Sequence, residues 1–193
     1  MKAKTLFLAL LLPFTIPLGS ALAINGADVP WITYEAESMT LSNGATILNP
    51  PPVYADKNLT VTNTIQGEAS GRLCVRLNGT GQYVEFAAQA AANTLVVRYC
   101  VPDTSDGVGA DYTLSLYVNE TFVRKIPVTS KYSWLYGGYT FNNSPGNGSA
   151  RNVFDEARLK DLSINAGDLV RLQKDADDTA SFYIGLSQVF RRC

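Results

Sequence analysis

Two segments, YTLSLYV (112–118) and TFVRKIPV (121–128), are joined only by Asn119 and Glu120, and this pairing constrains the fold more than any other feature. Leu114, Leu116 and Val118 alternate with Thr113, Ser115 and Tyr117, the period of two that turns one face of a strand to a core and the other to solvent. Two turn-forming residues between such runs predict a β-hairpin. Similar short runs recur along the chain: WITYEAE (31–37), ATIL (45–48), LTVTNTI (59–65), RLCVRL (72–77), QYVEFAA (82–88), TLVVRYCV (94–101), VFDEARL (153–159), LVRLQ (169–173) and SFYIGLSQVF (181–190). Asn78, Gly79 and Gly81 predict a second hairpin between RLCVRL and QYVEFAA, and Asn49 with Pro50, Pro51 and Pro52 forces an extended loop. The alanine-rich AAQAAAN is too short to hold a helix alone. The expected fold is an all-β, antiparallel jelly-roll sandwich.

The first 23 residues carry Lys2 and Lys4, an apolar run broken by Pro13 and Pro17, and the small-residue site Ala21-Leu22-Ala23. This reads as a secretory signal peptide, so residues 24–193 are expected as one extracellular β-sandwich domain. The 16 basic and 17 acidic residues interleave with a net charge of −1, which argues against nucleic acid or membrane surfaces as partners; a monomer is expected. There is no histidine, which removes serine–histidine and cysteine–histidine catalysis and histidine-bound zinc. Five sequons, at Asn58, Asn78, Asn119, Asn142 and Asn147, suit surface positions of a glycoprotein.

Cys74 alternates with Val75 and Leu77, and Cys100 with Val101 and Val97, so both thiols face away from the predicted core. If their strands are neighbours, a Cys74–Cys100 disulfide on the outside of the sheet is expected, with Cys193 left over.

Candidate chemistry falls in three places. The stretch SKYSWLYGGYTF (130–141) concentrates Tyr132, Trp134, Tyr136, Tyr139 and Phe141 in a glycine- and asparagine-rich setting. Flat rings with polar tips suit stacking on sugar faces, so Tyr132, Trp134 and Tyr136 are expected to form a carbohydrate platform, with Asp177 and Asp178 supplying hydrogen bonds; burial of these rings in the sandwich is the alternative. Glu35 and Glu37, two apart, put both carboxylates on one side of a strand, as a hard cation needs. As an acid pair for glycoside hydrolysis they are poor, as are Asp155 and Glu156, because neighbours on one strand lie on one side of a bound sugar.

In order, YEAE, SGRLCVRL, GTGQYVEF, LVVRYCVPD, YTLSLYVN, TSKYSWLYGGYTF, FDEARL and VRLQKDADDTASFYIGL resemble family 35 carbohydrate-binding modules. The branch resembled is the one at the front of mycodextranases and alpha-1,3-glucanases. The resemblance implies a galactose-binding-like sandwich that is not itself an enzyme and binds a polysaccharide, an alpha-glucan by the branch resembled. Its alternatives are an N-terminal targeting module of a larger glycoside hydrolase, or a cell-wall adhesion protein. It also implies a structural calcium held by Glu35, Glu37 and an Asp of the last strand. Here Gly185 stands at that Asp position, so no cofactor, or a weakly held calcium, is expected.

Overall fold

The computed structural model describes residues 30–42, 44–49, 65–137 and 151–191. The signal-peptide stretch, the proline run, most of LTVTNTI, Tyr139, Phe141, Asn58, Asn142, Asn147 and Cys193 lie outside the described residues.

The strands are β1 (Trp31–Glu35), β2 (Thr40–Leu41), β3 (Thr46–Leu48), β4 (Cys74–Leu77), β5 (Tyr83–Ala87), β6 (Ala92–Cys100), β7 (Asp111–Val118), β8 (Thr121–Thr129), β9 (Trp134–Leu135), β10 (Arg151–Asn152), β11 (Asp155–Leu159), β12 (Leu169–Gln173) and β13 (Phe182–Arg191). They form two large antiparallel sheets and a separate two-stranded ribbon of β9 and β10. The first runs β11-β6-β13-β4-β3 with β1 also on β13, and the second runs β2-β5-β12-β7-β8. From β4 onward the chain mostly alternates between sheets, so the apolar face of each strand meets strands of the other sheet. The expected antiparallel sandwich is what forms. Val75, Leu77, Leu95, Val97, Leu114, Leu116, Ile126, Leu172, Phe182 and Ile184 fill the space between the sheets, each without solvent exposure.

The hairpin at Asn119 and Glu120 is present. Both residues take positive φ, 49° and 64°, the backbone that a tight two-residue turn needs, and Val118 pairs with Thr121. The predicted hairpin at Asn78–Gly81 is corrected: β4 lies in the first sheet and β5 in the second, so this turn is a corner between layers. Gln82 ties it down by accepting hydrogen bonds from the Asn78 and Gly79 amides at 2.7 and 3.0 Å.

A smaller apolar cluster sits on the outer side of the first sheet. Ala69, Cys74, Cys100 and Phe154 are buried there, with Leu48, Ile65, Trp134 and Tyr183 packed against them. Its cover comes from two 3-10 turns, Ile65–Glu68 and Ser70–Arg72, and from the β9–β10 ribbon.

Candidate functional site

Asp178, fully buried, organises the outer face of the second sheet. Its carboxylate accepts from the Thr113 and Ser115 hydroxyls at 2.6 and 2.8 Å, from the Lys125 ammonium at 2.9 Å and from the Asp175 amide at 2.8 Å. Thr113 and Ser115 are there because alternation turns them outward on β7, and Lys125 because it pairs with Ser115 on β8. Lys125 also reaches Ser115 Oγ at 2.8 Å and Asp177 at 2.6 Å, while Asp175 accepts from Tyr117 Oη and Gln173 Nε2, both at 2.7 Å. Burial pushes the Asp175 and Asp178 carboxyls up, but the donated hydrogen bonds win and both end below the usual carboxylate range. The three carboxylates bring oxygens within 4.8 Å of one another, as a cation site does, yet the Lys125 ammonium already bonds two of them.

Asp178 is therefore spent on pinning the β12–β13 loop to β7 and β8 and presents nothing to a sugar. Asp177, with 72 % of its side chain exposed, does face solvent.

The aromatic stretch divides in the same way. The Trp134 indole donates to the Val101 carbonyl at 2.9 Å and packs in the small outer cluster. Tyr136 is buried, and its hydroxyl donates to Asp103 at 2.6 Å. Desolvation, with the Asp103 carboxylate next to it, pushes the Tyr136 phenol up to about 12. Tyr132 alone of the three is open, at 77 %. The predicted three-ring platform is corrected to one exposed ring and two structural ones.

The predicted disulfide is also corrected. Cys74 and Cys100 are both free and buried. The periodicity placed their faces rightly, but β13 runs between β4 and β6, with Tyr183 paired to both Arg76 and Cys100. Two strand spacings separate the thiols' backbones by about 10 Å, beyond the roughly 7 Å that a bridge tolerates. Burial pushes both thiols up to about 12, and the Asn152 amide lies 3.8 Å from Cys100 Sγ.

Glu35 ends β1, whereas Glu37 lies in the 3-10 turn Ala36–Ser38. Glu35 Oε1 accepts from Ser70 Oγ at 3.0 Å. The second oxygen of each carboxylate, Oε2 of Glu35 and of Glu37, is buried without a hydrogen-bond partner. Desolvation first, and Glu35 nearby, raise the Glu37 carboxyl against the lowering effect of its own backbone amide. Such oxygens fit a hard cation as two of its ligands. A third carboxylate is missing at position 185, where Gly185 lies under the Phe154 ring; a Cβ there would meet the ring at 3.2 Å, tight enough that the ring would have to give by a few tenths of an ångström. Beside Glu35, a cavity of about 330 Å³ opens between Thr33, Ser38, Met39, Gln89 and the rings of Tyr34 and Phe86, stacked at 4.0 Å.

Lys125, Ser115, Thr113 and Phe154 escaped the sequence reading. The first three carried a usable signal, because outward hydroxyls on one strand opposite a lysine on its hairpin partner predict a buried acceptor nearby. Phe154 carried none.

Comparison with known proteins places this geometry. The family described as Alpha-1,3-glucanase catalytic domain D1 matches residues 28–189. Among solved structures, the catalytic domain of Agl-KA superposes with a TM-score of 0.77 at 25 % identity, covering 87 % of this chain and 29 % of that one. The catalytic domain of GH87 alpha-1,3-glucanase in complex with nigerose gives 0.73 at 32 %, with the same coverage. The catalytic unit of the thermostable GH87 alpha-1,3-glucanase from Streptomyces thermodiastaticus strain HF3-3 gives 0.66 at 35 %, covering 87 % and 27 %. The chain thus spans less than a third of the length of these structures. A CBM36-1 domain of a multidomain xylanase from the hindgut metagenome of Trinervitermes trinervoides shares the fold at 13 % identity with a TM-score of 0.52. No curated relative matches the sequence. These findings overturn the expectation of a non-catalytic carbohydrate-binding module that is not itself an enzyme, and they give no support to the family 35 assignment. The chain belongs to the alpha-1,3-glucanase catalytic domain D1 family.

Proposed function

We propose that this chain forms the β-sandwich part of a glycoside hydrolase catalytic unit that cleaves alpha-1,3-linked glucan. The observation that carries this reading is the family match over residues 28–189, nearly the whole described chain. It is supported by superposition on GH87 catalytic domains that have been captured with nigerose and with tetrasaccharides. An uncharged chain of sugars also suits a protein with a net charge of −1 whose basic and acidic residues interleave along the sequence. The basic, then apolar, then small-residue start supports secretion, which an enzyme acting on an insoluble polysaccharide requires.

Glu35 and Glu37 would hold a calcium ion in this reading, through the buried oxygens that lack partners. The ion would lock the end of β1 to the 3-10 turn that follows it. With Gly185 under Phe154, two carboxylates replace three, and the affinity is weak.

The reading is tested by exchanging this chain for the matching region of the Streptomyces thermodiastaticus catalytic unit and assaying insoluble alpha-1,3-glucan. Release of reducing ends by the folded chimera supports it; a folded chimera without activity on that glucan contradicts it.

A further inference from the structure

We infer that the cavity of about 330 Å³ beside β1 is a subsite for one unit of a neutral sugar. Its lining is layered. The stacked rings of Tyr34 and Phe86, with the Met39 thioether, are buried or half-buried and make an apolar floor. Thr33, Ser38 and Gln89 are exposed and make a polar rim around it. A pyranose divides in the same way, with CH groups for the rings and hydroxyls for the rim. The volume lies near the lower end of the roughly 300–1,000 Å³ of ligand pockets, which suits one or two sugar rings and not a long chain.

The walls are set by the fold. β1 (Trp31–Glu35) brings Thr33 and Tyr34 from the first sheet, β5 (Tyr83–Ala87) brings Phe86 from the second, and the 3-10 turn Ala36–Ser38 with the next residue brings Ser38 and Met39. The Gln89 backbone amide donates to Tyr34 Oη at 2.8 Å, which ties the segment after β5 to β1 and fixes the Tyr34 ring before any ligand arrives. Hydrogen-bonding capacity is left over. Tyr34 Oη receives that bond but gives its own proton to no described residue, and neither the Ser38 hydroxyl nor the Gln89 side-chain amide bonds a described residue. Thr33 Oγ1 accepts from Gln188 Nε2 at 3.3 Å and keeps its proton to donate. The cluster around Asp178 differs, because Thr113, Ser115, Lys125 and the Asp175 amide already occupy its oxygens. Glu35 is the only charged residue in the lining, which disfavours an anionic sugar. The linkage of the bound sugar rests on the glucanase reading; the preference for a neutral pyranose rests on the cavity alone.

Met39 provides the test, since the chain has two methionines and only Met39 lines the cavity. The full chain, labelled with 13C-methyl methionine, is titrated with nigerose at constant calcium. The Met39 methyl resonance is expected to shift saturably, with a Kd on the order of 1 mM. Replacing Ser38 and Gln89 together by Ala is expected to weaken binding about tenfold while moving the melting temperature by less than about 2 °C. Should the double variant melt early, Gln89→Ala alone is expected to weaken binding about threefold. A Met39 resonance that nigerose leaves unmoved, or a response undiminished in these variants, overturns the inference. So does tighter binding of glucosamine than of glucose, which would make the site one for a cation. A Met39 shift in the sugar-free Streptomyces chimera, with no further response to nigerose, also overturns it, because the remainder of the catalytic unit would then fill the cavity. Nigerose binding without glucan cleavage by the chimera sinks only the glucanase reading; cleavage with Met39 unmoved by nigerose in the free chain sinks only this subsite.

Discussion

The outer faces of the two sheets bury polar groups by opposite means. On the second sheet, Asp178 is sealed from water but surrounded by donors, and its carboxyl sits low. On the first, Cys74, Cys100 and Glu37 lie under or beside a small apolar lid, and burial pushes all three up. Saturated hydrogen bonding keeps a buried charge ionised; an apolar cover favours the neutral form. The first face therefore tolerates loss of charge, and the second does not.

The largest expected effect follows from that contrast. Asp178→Ala strands Lys125, Thr113 and Ser115 together and should cost about 3–5 kcal/mol, read by urea denaturation at pH 7. A loss under about 1 kcal/mol would show that Asp175 and Asp177 take over the ammonium.

Trp134→Ala tests the lid. It removes an indole from the small cluster and leaves the Val101 carbonyl without its donor, for an expected loss of about 3 kcal/mol. Tyr132→Ala, by contrast, should lie within about 0.5 kcal/mol of wild type. Equal effects would erase the distinction between the exposed and the packed ring.

The pH dependence separates the faces further. Glu37 is raised, so the folded state holds its proton more tightly and the contribution of this group weakens as pH rises from its ordinary value near 4.5. Asp175 and Asp178 are lowered, so their contribution is complete above the ordinary value of 3.8 and is lost as pH falls through their depressed folded values. With chelator present, Glu37→Gln should therefore raise the melting temperature at pH 7 and change it little at pH 4. A fall at pH 7 would mean that the charged carboxylate is favoured where it stands.

The smallest expected effect is that of calcium. Two carboxylates should give a rise of only a few degrees in the melting temperature at millimolar calcium, since stabilisation grows as the logarithm of concentration over Kd. Glu35→Gln should abolish it. A rise of more than about 10 °C would show that backbone ligands replace the missing acid.

Much of this architecture was legible in the sequence wherever one strand's own alternation decides the outcome. Leu114 and Leu116 inside, Thr113 and Ser115 outside, and a turn at Asn119 and Glu120 all follow from local pattern. Cys74 and Cys100 mark the limit: periodicity assigned their face, but part of the cover over that face comes from Trp134 and Phe154, distant in sequence from both. Turn residues at Asn78–Gly81 cannot distinguish a hairpin from a corner between sheets, because both need the same backbone freedom. Glu37 was picked out with Glu35, but its place off the strand was not, because strand alternation does not announce where β1 gives way to a 3-10 turn. The aromatic stretch looked like a binding surface because composition does not reveal that Val101 and Asp103 receive hydrogen bonds from Trp134 and Tyr136.

Linkage selectivity of the chimera tests the central claim most directly. Equal masses of insoluble alpha-1,3-glucan, dextran and a linear beta-1,3-glucan are incubated with the folded chimera, and released reducing ends are quantified for each. Release from alpha-1,3-glucan at least about tenfold above the other two is the predicted result, a difference of about 1.4 kcal/mol in transition-state stabilisation. Release from beta-1,3-glucan or dextran that matches or exceeds it would contradict the assignment of this sandwich to an alpha-1,3-glucan hydrolase.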